Sequence, residues 1–254
     1  MNTVIFGEGF VGKATSLILH KECVFHDPYK NIIVNDFSNF EYAIICVPTP
    51  GTDSGLDHSE IVNCLELLNS HNFTGIKVIR STCHPEVLHQ LNDQYQNIIF
   101  WPEFLREKHF DIDARNPGRV ILGGNFSLTN KFAEYLKSKN YGRTVMWSHI
   151  NLQESAMIKL GTNFALAAKI LTFNALHDAC QNLGINWDTV RNGIISDQRI
   201  GSGQTMVPGH DGQFGFGGKC LPKDTQTIEH LVEDKTFIES LLLYNDKLRN
   251  KLRS

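Results

Sequence analysis

The amino-acid sequence predicts an α/β fold: a doubly wound parallel sheet over residues 1–150, followed by an all-α domain over residues 151–254 with a long central helix. Three observations carry this expectation. Short β-branched runs alternate with helical stretches through the first part, as a parallel sheet with crossover helices requires. The first of these runs feeds directly into a glycine motif. From Asn151 onward no strand signal returns before a late glycine loop, and Leu152 to Gly184 carries helical residues without an internal proline.

Thr3-Val4-Ile5-Phe6 reads as a buried first strand. It runs into Gly7-Glu8-Gly9-Phe10-Val11-Gly12, then a helix from Lys13 to His20 and a second strand, Val24-Phe25-His26, ending at Asp27 twenty positions after Gly7. Strand, G-x-G-x-x-G turn, helix, strand and acid in that register form the dinucleotide-binding unit of a Rossmann-like domain. The glycines permit the turn, a pyrophosphate rests on the helix N-terminus, and the acid accepts from a ribose hydroxyl. Gly7, Gly9, Phe10, Val11, Gly12 and Asp27 are therefore candidate cofactor-binding residues. An acid at that place favours NAD over NADP.

Further strands are expected at Tyr42 to Val47, Lys77 to Arg80, Asn97 to Trp101, Val120 to Leu122 and Thr144 to Trp147. Helices are expected from Asp57 to Ser70, from Pro85 behind a Ser81-Thr82 cap, and from Leu128 to Ser138, with a charged loop before Val120. Open parallel sheets bind ligands beyond the carboxyl ends of their strands, and three of those ends carry Pro48-Thr49, Ser81-Thr82 and Pro102-Glu103. Each also has a plain reading, as a turn, a cap and a solvated loop acid.

On the long helix, Lys159, Asn163, Ala167, Ile170 and Asn174 fall on one stripe, so the lysine has apolar or amide neighbours. Beyond Gly184 come a short helix (Trp187 to Ser196), a glycine-crowded stretch from Arg199 to Gly218, and closing helices from Lys223 to Glu233 and Phe237 to Leu252. Irregular chain of that length inside a domain is usually functional. It ends in Gly215-Phe216-Gly217-Gly218-Lys219-Cys220-Leu221-Pro222-Lys223-Asp224, where glycines let backbone amides approach a ligand and two lysines favour the thiolate of Cys220. A small buried thiol is an equally available reading of that cysteine alone.

Composition narrows the class. With 254 residues, 41% of them hydrophobic, the chain can bury a full core, and a net charge of -3 without a basic block gives no pull on nucleic acid. Six cysteines without Cys-x-x-Cys spacing fit a reducing cytoplasm, and the eleven histidines form no zinc pattern, so no metal is expected. No apolar run reaches the roughly 18 residues needed to span a membrane, so no membrane partner is expected. No basic, apolar export signal opens the chain.

Taken in order, Gly7-x-Gly9-x-x-Gly12, Val47-Pro48-Thr49-Pro50, Ser81-Thr82, Pro102-Glu103-Phe104-Leu105-Arg106-Glu107, Lys159-x-x-x-Asn163, Asp197-x-Arg199-Ile200-Gly201 and Gly215 to Asp224 resemble the UDP-glucose/GDP-mannose dehydrogenases over nearly the whole chain. The resemblance implies two successive NAD-dependent oxidations of a nucleotide sugar at its C6 alcohol, UDP-glucose to UDP-glucuronate above all. Cys220 captures the aldehyde as a thiohemiacetal and then carries a thioester. By the same resemblance Lys159 and Asn163 stabilise oxygen charge, Asp224 and Thr82 position or activate water, and Glu103 serves thioester hydrolysis. Pro48, Thr49 and Thr82 border the cofactor. Glu103, Phe104, Leu105, Lys159, Asn163, Arg199 and Gly217 border the substrate, and a homodimer through the long helix is implied.

The sequence also departs from the family. Asn174-Ala175 stands where Asn-Glu is usual, and Pro85-Glu86 where Pro-Gly is usual. The family's C-terminal domain, roughly a hundred residues or more, is not represented, so a short form, with that half possibly supplied by a separate polypeptide, is the expectation. Two other classes stay open: a module that holds NAD and a nucleotide sugar without turnover, and a single-step hydroxy-acid dehydrogenase, whose superfamily shares the dinucleotide fold, the long helix and a Lys-x-x-x-Asn pair.

Overall fold

The computed structural model describes residues 2–52, 55–106, 109–142 and 144–250. Seven strands form one sheet: β1 (Thr3–Phe6), β2 (Val24–His26), β3 (Tyr42–Ile45), β6 (Ile76–Ile79), β7 (Ile98–Phe100), β8 (Arg119–Gly124) and β9 (Met146–Ile150), in the order β2-β1-β3-β6-β7-β8-β9. The two-residue strands β4 (Gly51–Thr52) and β5 (Gly55–Leu56) stand outside it. Neighbouring strands run parallel, with Val4 opposite Val24 on one side and Ala43 on the other. The exception is β7 with β8, where Ile99 faces Gly124 in an antiparallel pair. That departs from an all-parallel sheet, and the connection explains it: among its described residues the expected charged loop holds one short α-helix, α4 (Phe110–Arg115), which does not return the chain to the starting end as a crossover does.

Chain alternation puts successive side chains on opposite faces, and both faces are covered. Val4, Phe6, Ala43, Ile45, Ile79 and Phe100 pack beneath α2 (Ser59–Ser70) and α3 (Pro85–Tyr95). Ile5, Ile44, Val78, Ile99 and Leu122 pack beneath α1 (Phe10–Ile18) and α5 (Phe126–Ser138). A doubly wound sheet results.

Contacts divide the chain into two units: Met1–Thr52 with Leu56–Lys159, and Asp53–Gly55 with Leu160–Ser254. The division falls inside α6 (Leu152–Leu183). That helix starts where it does because Asn151 and Glu154 cap it reciprocally: the Glu154 amide donates to Asn151 Oδ1 (2.7 Å) and the Asn151 amide to Glu154 Oε2 (3.0 Å). It stops at Gly184, which takes φ +66° while the Ile185 amide reaches back to the Cys180 carbonyl.

In the second unit α6 is the spine. Ala167 and Leu171 pack with Phe216 and with Leu241 and Leu248 of α9 (Thr236–Asn250); Leu160 packs with Ile228 of α8 (Leu221–Glu229) and Ile238; Phe173 and Cys180 pack with Trp187 of α7 (Trp187–Ile195). An 18-residue window of α6 has mean hydropathy 1.2, so by length and composition this helix could cross a membrane, contrary to the expectation from uninterrupted runs. A window average tolerates Asn163 and Lys169, whereas an unbroken run does not. The apolar residues just named are those that the spine buries against its own unit.

One cap and two helix starts differ from expectation in ways that matter. Helix α3 is capped by His84, whose Nδ1 accepts from the Glu86 amide (3.3 Å), not by Ser81-Thr82. Helix α1 opens at Phe10, directly behind Gly9, rather than at Lys13. Helix α8 opens at Leu221 rather than Lys223, which makes Cys220 its N-cap.

Candidate active site

The glycine turn of the first unit assigns a separate task to each glycine. Gly7 holds φ +89°, and a side chain there would meet the Cys46 carbonyl; at Gly12 a Cβ would lie 2.0 Å from the Gly7 carbonyl oxygen, so α1 can sit this close to β1 only without one. Gly9 has nothing within 4 Å of an added Cβ, and its helix end carries no side-chain cap. The first turn of α1 therefore presents uncapped backbone over open space, as a pyrophosphate cradle needs. Phe10 and Val11 form that turn and are half-buried. Asp27 is buried, and its Oδ2 accepts the Glu8 amide (2.8 Å), which ties the end of β2 to the glycine turn.

The order β2-β1-β3-β6-β7 sets five parallel strands with their carboxyl ends side by side. Asp27, Gly7, Pro48-Thr49, Ser81-Thr82 and Pro102-Glu103 follow one another along that edge. Ser81 does not cap a helix. Its hydroxyl donates to the Val47 carbonyl (2.7 Å), clamping the ends of β3 and β6 together. Thr49 and Thr82 are buried and Pro48 is exposed.

Glu103 is no solvated loop acid. It forms a buried ion pair with Lys159, whose Nζ donates to Glu103 Oε1 (2.9 Å) and to the Glu103 carbonyl (2.7 Å), while the Leu105 amide donates to Oε2 (2.7 Å). Burial alone would push this carboxyl up; the Lys159 ammonium, the Leu105 amide and Arg80 outweigh it and hold Glu103 below the ordinary range. It is an ionised base at neutral pH. Beside it, the Phe104 ring lies 5.6 Å from Lys159 Nζ and 4.3 Å from the Arg119 guanidinium.

Sequence reasoning passed over Arg80. The residue is 2% exposed, and its guanidinium stacks 3.6 Å above Trp101 and leaves Nε and Nη1 without a hydrogen-bond partner among the described residues. A cavity of about 410 Å³ is lined by Arg80, Trp101, Glu103, Phe104, Leu105 and Arg119, among others. An arginine at a strand's carboxyl end was the available signal.

In the second unit, Cys220 differs from the other five cysteines: none of the six is in a disulfide, but Cys23, Cys46, Cys64, Cys83 and Cys180 are buried and Cys220 is half-exposed. The reading of an inert buried thiol therefore fails here. As the N-cap of α8, Cys220 stands at the positive end of a nine-residue helix, a place that favours a thiolate. One turn on, Asp224 is fully buried, accepting from Asn163 Nδ2 (2.5 Å) and from Lys223 Nζ (2.6 Å). Asn163 thus fixes the carboxylate that follows the cysteine, and it stands one turn after Lys159 on α6.

Two expected substrate contacts have other company. Arg199 is exposed and forks onto Asp197 two residues away (2.5 Å), in a turn whose Ile200 and Gly201 carbonyls accept from Lys169. A Cβ on Gly217 would lie 2.6 Å from Arg249 Nη2, so that glycine makes room for the chain's own arginine. The sequence reading missed Arg249, which looks like an ordinary cation in the last turn of a helix.

Residues 153–247 match the model of the UDP-glucose/GDP-mannose dehydrogenase family, central domain. A UDP-glucose 6-dehydrogenase from Rickettsia prowazekii is 32% identical over 237 residues, covering 89% of this chain and 52% of that protein. The chain spans about half the length of the curated relatives it matches first. Among solved structures, a UDP-glucose dehydrogenase from Pyrobaculum islandicum superposes with TM-score 0.81 at 18% identity, covering 96% of this chain and 68% of that one. A 3-hydroxyisobutyrate dehydrogenase from Mycobacterium tuberculosis superposes with TM-score 0.71 at 14% identity, covering 98% and 95%. At such identities both superpositions speak for the fold alone.

Proposed function

Because this chain belongs to the UDP-glucose/GDP-mannose dehydrogenase family, we propose that it oxidises a nucleotide sugar at its C6 alcohol, with NAD as acceptor and Cys220 as the covalent carrier. The fold does not choose between this and oxidation of a hydroxy acid, since enzymes of both kinds superpose on it. The observation that carries the choice is Cys220. It is the one half-exposed thiol among six, at a helix N-terminus, with a buried carboxylate one turn on.

The residues suit such a scheme. Gly7, Gly9, Gly12 and Asp27 would hold NAD, which when bound takes up the hydride at each oxidation. The Cys220 thiolate adds to the aldehyde carbon left by the first oxidation, giving a thiohemiacetal whose oxygen charge Lys159 and Asn163 are suited to stabilise. The second oxidation leaves a thioester on sulfur. Water then attacks its carbonyl, a proton passes to Glu103 or Asp224, and the S–C bond breaks to return thiolate and uronic acid. Glu103, held ionised by Lys159, is fit for a base and not for an acid. The covalent hold keeps an aldehyde from escaping between two oxidations.

The test is the stoichiometry of NADH on a panel of UDP- and GDP-sugars. Two NADH per sugar, abolished in Cys220→Ala, is the expected result. No turnover on any nucleotide sugar by protein that binds NAD refutes the reading and leaves the binding module. A single NADH from a hydroxy acid, indifferent to Cys220→Ser, turns it into the hydroxy-acid reading.

A further inference from the structure

The segment that leads into Cys220 is lashed to the closing helix by its own backbone. Arg249, on the last turn of α9, donates from Nε to the Phe216 carbonyl (2.9 Å), from Nη2 to the Gly215 carbonyl (3.2 Å), and from Nη1 to Asp211 Oδ2 (2.8 Å) and Gln213 Oε1 (2.7 Å). Asn245, one turn earlier, accepts the Phe216 amide on Oδ1 (2.7 Å), and Asn174 of α6 accepts the Gly215 amide (3.0 Å). A basic side chain in a helix's last turn ordinarily serves the helix dipole. Here one guanidinium serves four acceptors across residues 211–216.

Two glycines of the loop are explained by this strap. At Gly215 (φ +68°) a Cβ would lie 2.5 Å from Asn245 Oδ1, and at Gly217 it would lie 2.6 Å from Arg249 Nη2. The amides of Gly215 and Phe216 are spent on asparagines, so they are not offered to a ligand. Phe216, 2% exposed, pins the strap's middle among Leu241 and Leu248. Glycine has the largest backbone freedom to lose on folding, and a run of three around one phenylalanine would wander without such ties.

We propose that Arg249 and Asn245 are positioning residues for Cys220, fixing the loop so that the thiol is held at the start of α8. The inference rests on the reading of Cys220 as the covalent carrier, since a displacement of about 1 Å at a reacting group can cost on the order of 100-fold in rate. Both act through the backbone of Gly215 and Phe216.

Hydrogen–deuterium exchange of the 211–220 peptide, iodoacetamide labelling of Cys220 and steady-state kinetics test it in the full chain. In Arg249→Ala and Asn245→Leu, exchange of the loop amides is expected to rise at least about tenfold, and Cys220 is expected to label several-fold faster. kcat on a nucleotide sugar falls while KM stays near the wild-type value. The five buried cysteines report on the fold: they stay unlabelled if only the loop has been released. Should they label too, Asn245→Asp decides, because it keeps the acceptor for Phe216 and slow loop exchange is expected to return, whereas fast exchange there overturns the strap. Unchanged exchange and labelling in the folded variants overturn it as well. Faster exchange with unchanged kcat refutes positioning. Altered exchange and labelling with a wild type that oxidises no nucleotide sugar leave the strap standing and remove the proposed function instead.

Discussion

Two glycine-rich turns sit at the two chemically suggestive places in this chain, and they use glycine for opposite ends. In the first unit Gly9 faces open space and α1 begins with uncapped backbone. In the second, Gly215 and Gly217 are glycine because Asn245 and Arg249 occupy the room a side chain would need. A buried carboxylate of each unit differs as well. Glu103 is held by a lysine that is itself 4% exposed, whereas Asp224 shares its load between Asn163 and a lysine that is 16% exposed. A glycine loop next to a reactive residue is therefore no evidence of ligand contact until its amides have been traced.

The largest expected effect separates the two carboxylates. Lys159→Met leaves Glu103 buried without its cation and should cost about 3–5 kcal/mol in urea unfolding. Lys223→Met leaves Asp224 with Asn163 and should cost about 1.5–3 kcal/mol. Equal losses would erase the distinction. The same pair has a pH signature. Glu103 sits below the ordinary carboxyl range in the folded state, so its contribution is complete above the unfolded value of about 4.3 and is lost as pH falls below that and through the lowered folded value. Wild-type stability should then drop more steeply than that of Glu103→Gln below about pH 5, and parallel curves would contradict the assignment.

Next in size is Gly12→Ala, which drives a Cβ against the Gly7 carbonyl and should cost about 3 kcal/mol. Gly217→Ala meets a side chain instead of backbone. It should cost about 1–2 kcal/mol, and Arg249→Ala in the same chain should recover part of the loss. A double-mutant cycle with no coupling would mean the arginine is not what keeps position 217 bare.

How much of this was legible depends on whether the signal was local. The first strand, the glycine turn and Asp27 were readable because each is fixed by residues within one βαβ unit, and the seven strands of the sheet and every α-helix among the described residues except α4 followed from periodicity. The antiparallel β7–β8 pair was not, since its cause is the shortness of α4, hidden in charged residues that read as loop. The motif residues Glu103, Lys159, Asn163 and Asp224 were singled out, but the sequence did not show their pairing as Glu103 with Lys159 and Asn163 with Asp224. Arg249 was invisible for the same reason: its acceptors lie 33 to 38 residues away, and nothing in its own helix marks it.

The smallest expected change in stability tests the first turn most directly. Gly9 adopts φ -77° and ψ -169°, which any residue tolerates, and a Cβ there touches nothing. Gly9→Ala should leave stability within about 0.5 kcal/mol, or raise it slightly by restricting the unfolded chain. Its effect should appear only on binding, because the added methyl projects into the space where a pyrophosphate would lie against the backbone. Calorimetric titration with NAD is expected to show at least about a tenfold loss of affinity, equal to 1.4 kcal/mol. Wild-type affinity in a folded Gly9→Ala protein would mean that the open space at this turn is not where the dinucleotide rests, and the contrast with the filled loop around Gly217 would lose its functional meaning.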